Sequence, residues 1–244
     1  LDNFVALADD PRLWIAIRNT FSIWILSTVP QLVLALFLAW MLSHSRIRGN
    51  TFWRSLILVP NITSVVAVAV VFGQLFGRDY GMVNWLLTVF GFSPIDWVNG
   101  TLSSHILISI MVIWRWTGYN ALIYLAAMQA VPEELYEAAE VDGASKFRQF
   151  ISITIPQIRP TLIFTVIVST IGGLQIFAEP LILDGQGYGG GVSRQFSTVT
   201  LFMFEQGFSR FEYGYASAIA IVLATIVVAF SIFNFLVVRR IQKA

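Results

Sequence analysis

Side chains able to do chemistry are few in this sequence, and they gather in two places. The first is an acidic island in which Glu133, Glu134, Glu137, Glu140 and Asp142 fall within ten residues. Glu133, Glu137 and Glu140 stand at i, i+4 and i+7, which makes one face of a short helix negative. Pro132 suits the first helical position, Glu133 and Glu134 favour the positive helix end, and Gly143 is a natural stop. Ala138 and Ala139 keep an adjoining face small, so that a partner surface can approach closely. A second short helix is expected over Ala144–Phe150. The second place is Trp114-Arg115-Trp116-Thr117-Gly118-Tyr119-Asn120, with Gln175 and Glu179 further on, all set in otherwise apolar runs. Arg115 is costly to bury against lipid, so it should face a cavity or a partner group. Trp114 and Trp116 flank it, Gly118 leaves room, and Asn120 adds an amide. Aromatic faces beside convergent donors and acceptors suit a sugar ring with its hydroxyls. Equally, Arg115 paired with a carboxylate would lock two helices, and Glu179 is the one carboxylate inside an apolar run.

No hydrolase or metalloprotease pattern accompanies these residues. Neither H-E-x-x-H nor G-x-S-x-G occurs, and the glycine-rich run from Gly185 to Gly191 lacks the Lys-Ser/Thr of a phosphate-binding loop. An enzyme is therefore not expected, and ATP binding by a Walker motif is excluded. The absence of cysteine removes disulfides, thiolate catalysis and most zinc sites. A net charge of +1 gives no case for nucleic acid.

The elements that must position these groups are membrane spans. Hydrophobic residues make up 57% and charged residues 12% of the 244, against about 25% charged in a soluble domain; mean hydropathy is +0.74. Five stretches are long enough to cross about 30 Å of hydrocarbon: Thr20–Leu42, Ser55–Phe76, His105–Gln129, Thr161–Leu183 and Ala216–Val238. One all-α bundle over residues 1–244 is predicted, with the polar loop 130–160 inside it. Nine cations (Arg46, Arg48, Arg54, Lys146, Arg148, Arg159, Arg239, Arg240 and Lys243) face five (Arg12, Arg18, Arg78, Arg194 and Arg210) across the membrane. The positive-inside rule puts the first group, the 130–160 loop and the C-terminus in the cytoplasm. Residue 1 then lies outside, and a further N-terminal span upstream is expected. Pro30 reads as a kink in the first span, and Asn61 and Ser64 as interhelical packing or substrate contacts. The aromatic segment Gly77–Ser104 reads as lying at the outer interface. Asn234 is expected to make an interhelical bond.

The spacing of Glu137-Ala138-Ala139, Gly143 and Ile153-x-Ile155-Pro156 resembles the EAA loop of ABC-importer permeases. It departs only in Ile155, where the family usually has leucine. Trp114–Asn120, Asp142–Ser145 and Tyr213–Ala218 are similar to the maltose-type carbohydrate permeases, so the resemblance covers essentially the whole chain. It implies the fold of a type I ABC-importer permease in a prokaryotic plasma or inner membrane. Glu133, Glu137, Ala138, Ala139, Asp142 and Gly143 would then couple to the ATPase, whose cleft receives this loop. Trp114, Arg115, Trp116, Thr117, Gly118, Asn120, Gln175 and Glu179 would line the substrate path. The resemblance further implies two ABC ATPase subunits that hold ATP and Mg, a second homologous permease, an extracytoplasmic solute-binding protein and a sugar substrate; the chain itself needs no cofactor. Ser169–Gln175 with Glu179-Pro180 is similar to permeases for cellobiose-like β-linked disaccharides. The alternatives are an ion-coupled secondary transporter and a same-family importer for another solute such as glycerol phosphate.

Overall fold

The computed structural model describes residues 2–44, 50–185 and 187–243, with side chains over 2–43, 52–185 and 187–236. Arg46, Arg48 and Gln186 lie outside the described residues, as do the side chains of His44, Arg239, Arg240 and Lys243. Among the described residues the only regular structure is helix. Four helices are long and apolar enough to cross a membrane: Pro11–Ser43, Thr101–Gln129, Arg159–Asp184 and Tyr213–Leu236. A fifth crossing is made if Phe52–Ile62 and Val65–Leu75 count as one, and these two meet at 88°. Counted so, the described residues make five spans, and the straight helix expected over Ser55–Phe76 is replaced by a sharp bend. Pro60 lacks the N–H that the Leu56 carbonyl would need, and the Val59–Ile62 turn stops before Ser64, which begins the next helix. Pro60–Ser64 is therefore a bend, and Ser64 is exposed.

The helices are α1 (Asp2–Ala8), α2 (Pro11–His44), α3 (Asn50–Leu56), α4 (Val59–Ile62), α5 (Val65–Leu75), α6 (Met82–Val89) and α7 (Thr101–Gln129). They continue as α8 (Glu133–Val141), α9 (Lys146–Gln149), α10 (Ile155–Gln157), α11 (Arg159–Leu174), α12 (Ala178–Asp184), α13 (Val199–Phe204) and α14 (Tyr213–Lys243). π-helical turns occupy Phe150–Thr154 and Glu205–Ser209. The chain packs as two compact units.

One unit comprises residues up to Thr28, Thr63–Val112 and the chain from Thr170 on. Its apolar clusters centre on Leu107, Ile108, Met111 and Phe196, and on Leu174, Val199, Phe202 and Ile219. Polar bonds fasten the long 185–212 connection to the helices. His105 bonds Ser22 Oγ at 2.9 Å and the Gln195 carbonyl at 2.8 Å, and Asn19 donates to the carbonyls of Arg194 and Ser197. Buried Asn84 donates to the carbonyls of Gly77, Arg78 and Ile95 and accepts from Ile95 N and Trp97 Nε1, which pins the α6 segment. That segment leaves Trp85, Phe90 and Phe92 exposed. Asn234 Nδ2 reaches Thr170 Oγ1 at 3.5 Å, the expected interhelical contact at the long limit of a hydrogen bond.

The other unit comprises Val29–Ile62 and Ile113–Ser169. Its cluster joins Ala35 and Ala39 of α2, Ala121, Tyr124 and Leu125 of α7, Phe150, and Ile158. The Tyr124 hydroxyl and Thr165 Oγ1 are 2.6 Å apart, a polar tie between α7 and α11.

Two carboxylates outside the spans, Glu205 and Asp10, are held in their ionised form. Burial pushes Glu205 up, but the guanidiniums of Arg194 (2.7 Å) and Arg210 (3.0 Å) outweigh it and hold it below the usual carboxylate range. Burial likewise raises Asp10, and the Arg12 and Tyr215 bonds overcome it. A depressed folded pKa stabilises the fold above the unfolded value and loses that contribution as pH falls through the folded one. The melting temperature should therefore stay level down to about pH 4.5 and drop below it. Glu205→Gln should lower it at pH 7 and give a shallower acid limb; thermal unfolding at a series of pH values checks this.

Candidate functional site

Helix α8 starts at Glu133, one residue later than the sequence suggested, with Pro132 as its N-cap (φ −57°, ψ 132°). Glu133 and Glu134 lie in its first turn, where the helix dipole favours them. The helix buries no residue. Glu133, Glu134, Glu137, Ala138 and Glu140 are exposed, and only Tyr136 and Ala139 are half-covered. Its end is a Schellman turn: Gly143 N donates to the Glu140 carbonyl at 3.0 Å and Ala144 N to the Ala139 carbonyl at 2.8 Å. Gly143 has φ +74°, which explains the glycine. A Cβ there would meet nothing within 4 Å, so the requirement lies in the backbone rather than in space. Glu140 pairs with Lys146 across the turn, and the ammonium holds its carboxyl below the usual range.

The second short helix is only α9, capped by Ser145 Oγ, which accepts from Arg148 N at 3.3 Å. The chain then widens into the π turn Phe150–Thr154 and resumes at Ile155. Pro156 and Pro160 lack the N–H groups that the Ser152 and Pro156 carbonyls would use. Sequence reasoning missed the residues that hold this loop. Tyr136 OH and Thr154 Oγ1 are 2.9 Å apart, and Gln149 is buried, with Nε2 donating to the Ala144 carbonyl. The Trp40 ring centroid lies 5.3 Å from Phe150 and 6.4 Å from Phe147. An available signal was that Tyr136 and Ala139, at i and i+3, flank the acidic stripe without a charge.

Trp114 to Asn120 form two turns of α7. Trp114 and Trp116 are partly exposed, Arg115 is half-buried, and its guanidinium carbon lies 6.0 Å from the Trp116 ring centre. Thr117 and Asn120 are buried and bond back to their own helix, to the Ile113 carbonyl at 2.6 Å and the Trp116 carbonyl at 3.3 Å. Gly118 does not open space. A Cβ on it would sit 1.7 Å from the Ile57 carbonyl oxygen, so the residue lets two backbones touch. Gln175 is exposed in the three-residue gap between α11 and α12, and Glu179 is buried, 5% exposed, in the first turn of α12. Gly173 beside them fits against Trp24 and Thr28, where a Cβ would approach within 2.5 Å of the indole, whereas Gly172 meets nothing.

Long apolar spans with an acidic, exposed helix presented in the loop between two of them are the geometry of a multi-pass membrane protein with a surface for a partner. The chain matches the family described as the binding-protein-dependent transport system inner membrane component over residues 14–243. It is 35% identical over 243 residues to the lactose transport system permease protein LacF of Rhizobium radiobacter, covering 98% of this chain and 80% of that one. Identity is 32% to the trehalose/maltose transport system permease protein MalF of Thermococcus litoralis, over 95% and 77%. It is 31% to the arabinooligosaccharides transport system permease protein AraP of Bacillus subtilis, over 96% and 74%. A solved bacterial ABC transporter involved in the import of the acidic polysaccharide alginate superposes with TM-score 0.87 at 25% identity, covering 99% of this chain and 84% of the other. The chain belongs to this family of inner-membrane permeases and is of its sugar ABC importer type. It is a multi-pass transport component rather than an enzyme.

Gly118→Ala should cost about 3 kcal/mol, at the upper end of overpacking because backbone must move. In a protein of this size that lowers the melting temperature by roughly 6–12 °C. Gly172→Ala should be near neutral, and thermal unfolding of the two variants side by side checks both.

Proposed function

We propose that this chain imports a di- or oligosaccharide by ATP-driven alternating access, as one permease of a heterodimeric pore served by two ATPase subunits. The observation that carries this reading is the 133–143 helix. It is charged, caps itself through Gly143, and buries no side chain in its own chain, as a surface made to be gripped by another protein would be. By the positive-inside count it would lie in the cytoplasm, where an ATPase would close on ATP and swing the bundle open outward. A loaded binding protein would dock on the opposite face; an alginate importer with a TM-score of 0.88 to this chain is solved with its pentasaccharide-bound periplasmic protein.

Trp114, Arg115, Trp116, Thr117, Gly118, Asn120, Gln175 and Glu179 form the proposed path. Among them the partly exposed indoles and Gln175 are best placed to meet a sugar. Thr117 and Asn120 act by shaping α7, and Gly118 by close packing. The narrower reading, a cellobiose-like β-linked disaccharide, rests on Ser169–Gln175 and Glu179-Pro180. The relatives' own sugars, which include lactose, trehalose/maltose and arabinooligosaccharides, share oligosaccharide size rather than one linkage.

The test is to isolate the protein with its partners from native membrane and assay ATP hydrolysis. Co-purification of an ATPase whose rate rises with a sugar-loaded binding protein is the expected result, and the stimulating sugar names the substrate. A protein that transports on an ion gradient with no ATPase would sink the proposal. Glu179→Gln should reduce uptake about tenfold or more, the scale of one charge-assisted hydrogen bond, with membrane insertion intact. Unchanged uptake would remove Glu179 from the path.

A further inference from the structure

Helix α8 is tied to the rest of its unit by very little. Its own residues are exposed except Tyr136 and Ala139; the Ala139 carbonyl accepts in the Gly143 turn, and exposed Glu140 pairs with Lys146 of α9. Tyr136 alone sends a polar side chain inward, to Thr154, which is 2% exposed on the π turn that leads into α11. A second tether acts on α9 and the π turn rather than on α8: Trp40 of α2 lies against Phe147 and Phe150. A push on the acidic face of α8 reaches α7 through residues 130–132 at its start, and it has two routes towards α11. One runs along the backbone through the Gly143 turn, and the other crosses directly through one hydroxyl pair. The first is a turn joined to a four-residue helix, and the second is a short bond at the base of a span.

We propose that Tyr136 is the positioning residue that transmits movement of the coupling helix to α11, through its hydroxyl bond to Thr154. This rests on the reading of the 133–143 helix as the ATPase contact. Without that bond α8 keeps its acidic face and its Gly143 turn, so docking survives, but α8 moves without carrying α11 with it. The consequence is slippage: ATP is spent without a matching delivery of sugar. Tyr136 touches neither nucleotide nor substrate in this scheme, and its effect is on the ratio of the two events.

The test uses the complete importer, with both permeases, the ATPase and the binding protein, in proteoliposomes, and reads ATP hydrolysed per sugar transported. Tyr136→Phe keeps the ring and should raise that ratio about three- to tenfold, the scale expected for one net hydrogen bond. Thr154→Val should match it, Thr154→Ser should restore the wild-type ratio, and Tyr136→Phe with Thr154→Val should be no worse than either alone. An unchanged ratio with a lowered melting temperature would show a purely structural bond and overturn the proposal, as would single effects that add in the double variant. A wild-type assembly without sugar-stimulated hydrolysis overturns the parent reading too, so the two failures are told apart.

Discussion

Lipid is as apolar as leucine, so burying apolar surface does little to hold one span of this protein against another. The constraint that organises the chain is therefore satisfaction and close approach of the backbone. Beside the apolar clusters, several helix contacts are made by a polar pair or by a missing side chain. Tyr124 meets Thr165, His105 bridges Ser22 to the Gln195 carbonyl, and Gly118 lets α7 touch the Ile57 carbonyl. Gly173 receives Trp24 in the same manner. The large apolar residues left on the surface, such as Ile25, Val33, Phe37, Phe164, Ile221 and Ile232, are what a lipid-facing chain requires.

The same constraint explains where helices are allowed to stop. Inside hydrocarbon an unpaired carbonyl costs several kcal/mol, so breaks are confined to a few places. Among the described residues one follows Pro60, and one separates Leu174 from Ala178. The second lies beside residues proposed to work, with Gln175 in the gap and Glu179 just after it. Irregular backbone at depth is tolerated where protein rather than lipid surrounds it.

Legibility from sequence followed range. Four of the five apolar runs, the acidic stripe at i, i+4 and i+7, and the stop at Gly143 are local patterns, and each appears where the sequence puts it. The right-angle bend within 52–75 was hidden because hydropathy reports apolarity and not direction, so Ser55–Phe76 reads as one rod. Gly118 was read as room because a glycine looks alike whether a cavity or a carbonyl lies opposite. Tyr136 was passed over because its value depends on Thr154, eighteen residues away and across a turn. Long-range partners are what a single sequence does not print.

The π turn at Phe150–Thr154 also changes the phase of the chain. A wide turn inserts one residue relative to an α-helix, and one residue is about 100° of rotation about the axis. The faces of α9 and α10 are therefore out of step by about 100° relative to one continuous α-helix. Trp40 reads Phe150 before the slip, and Tyr136 reads Thr154 after it. Loss of a single residue here would relax the turn to ordinary helix and turn the Ile155–Gln157 helix that leads to the fourth crossing by about 100° against Trp40 and Phe150. The phase at which the chain enters that crossing is in effect set by five residues at its foot.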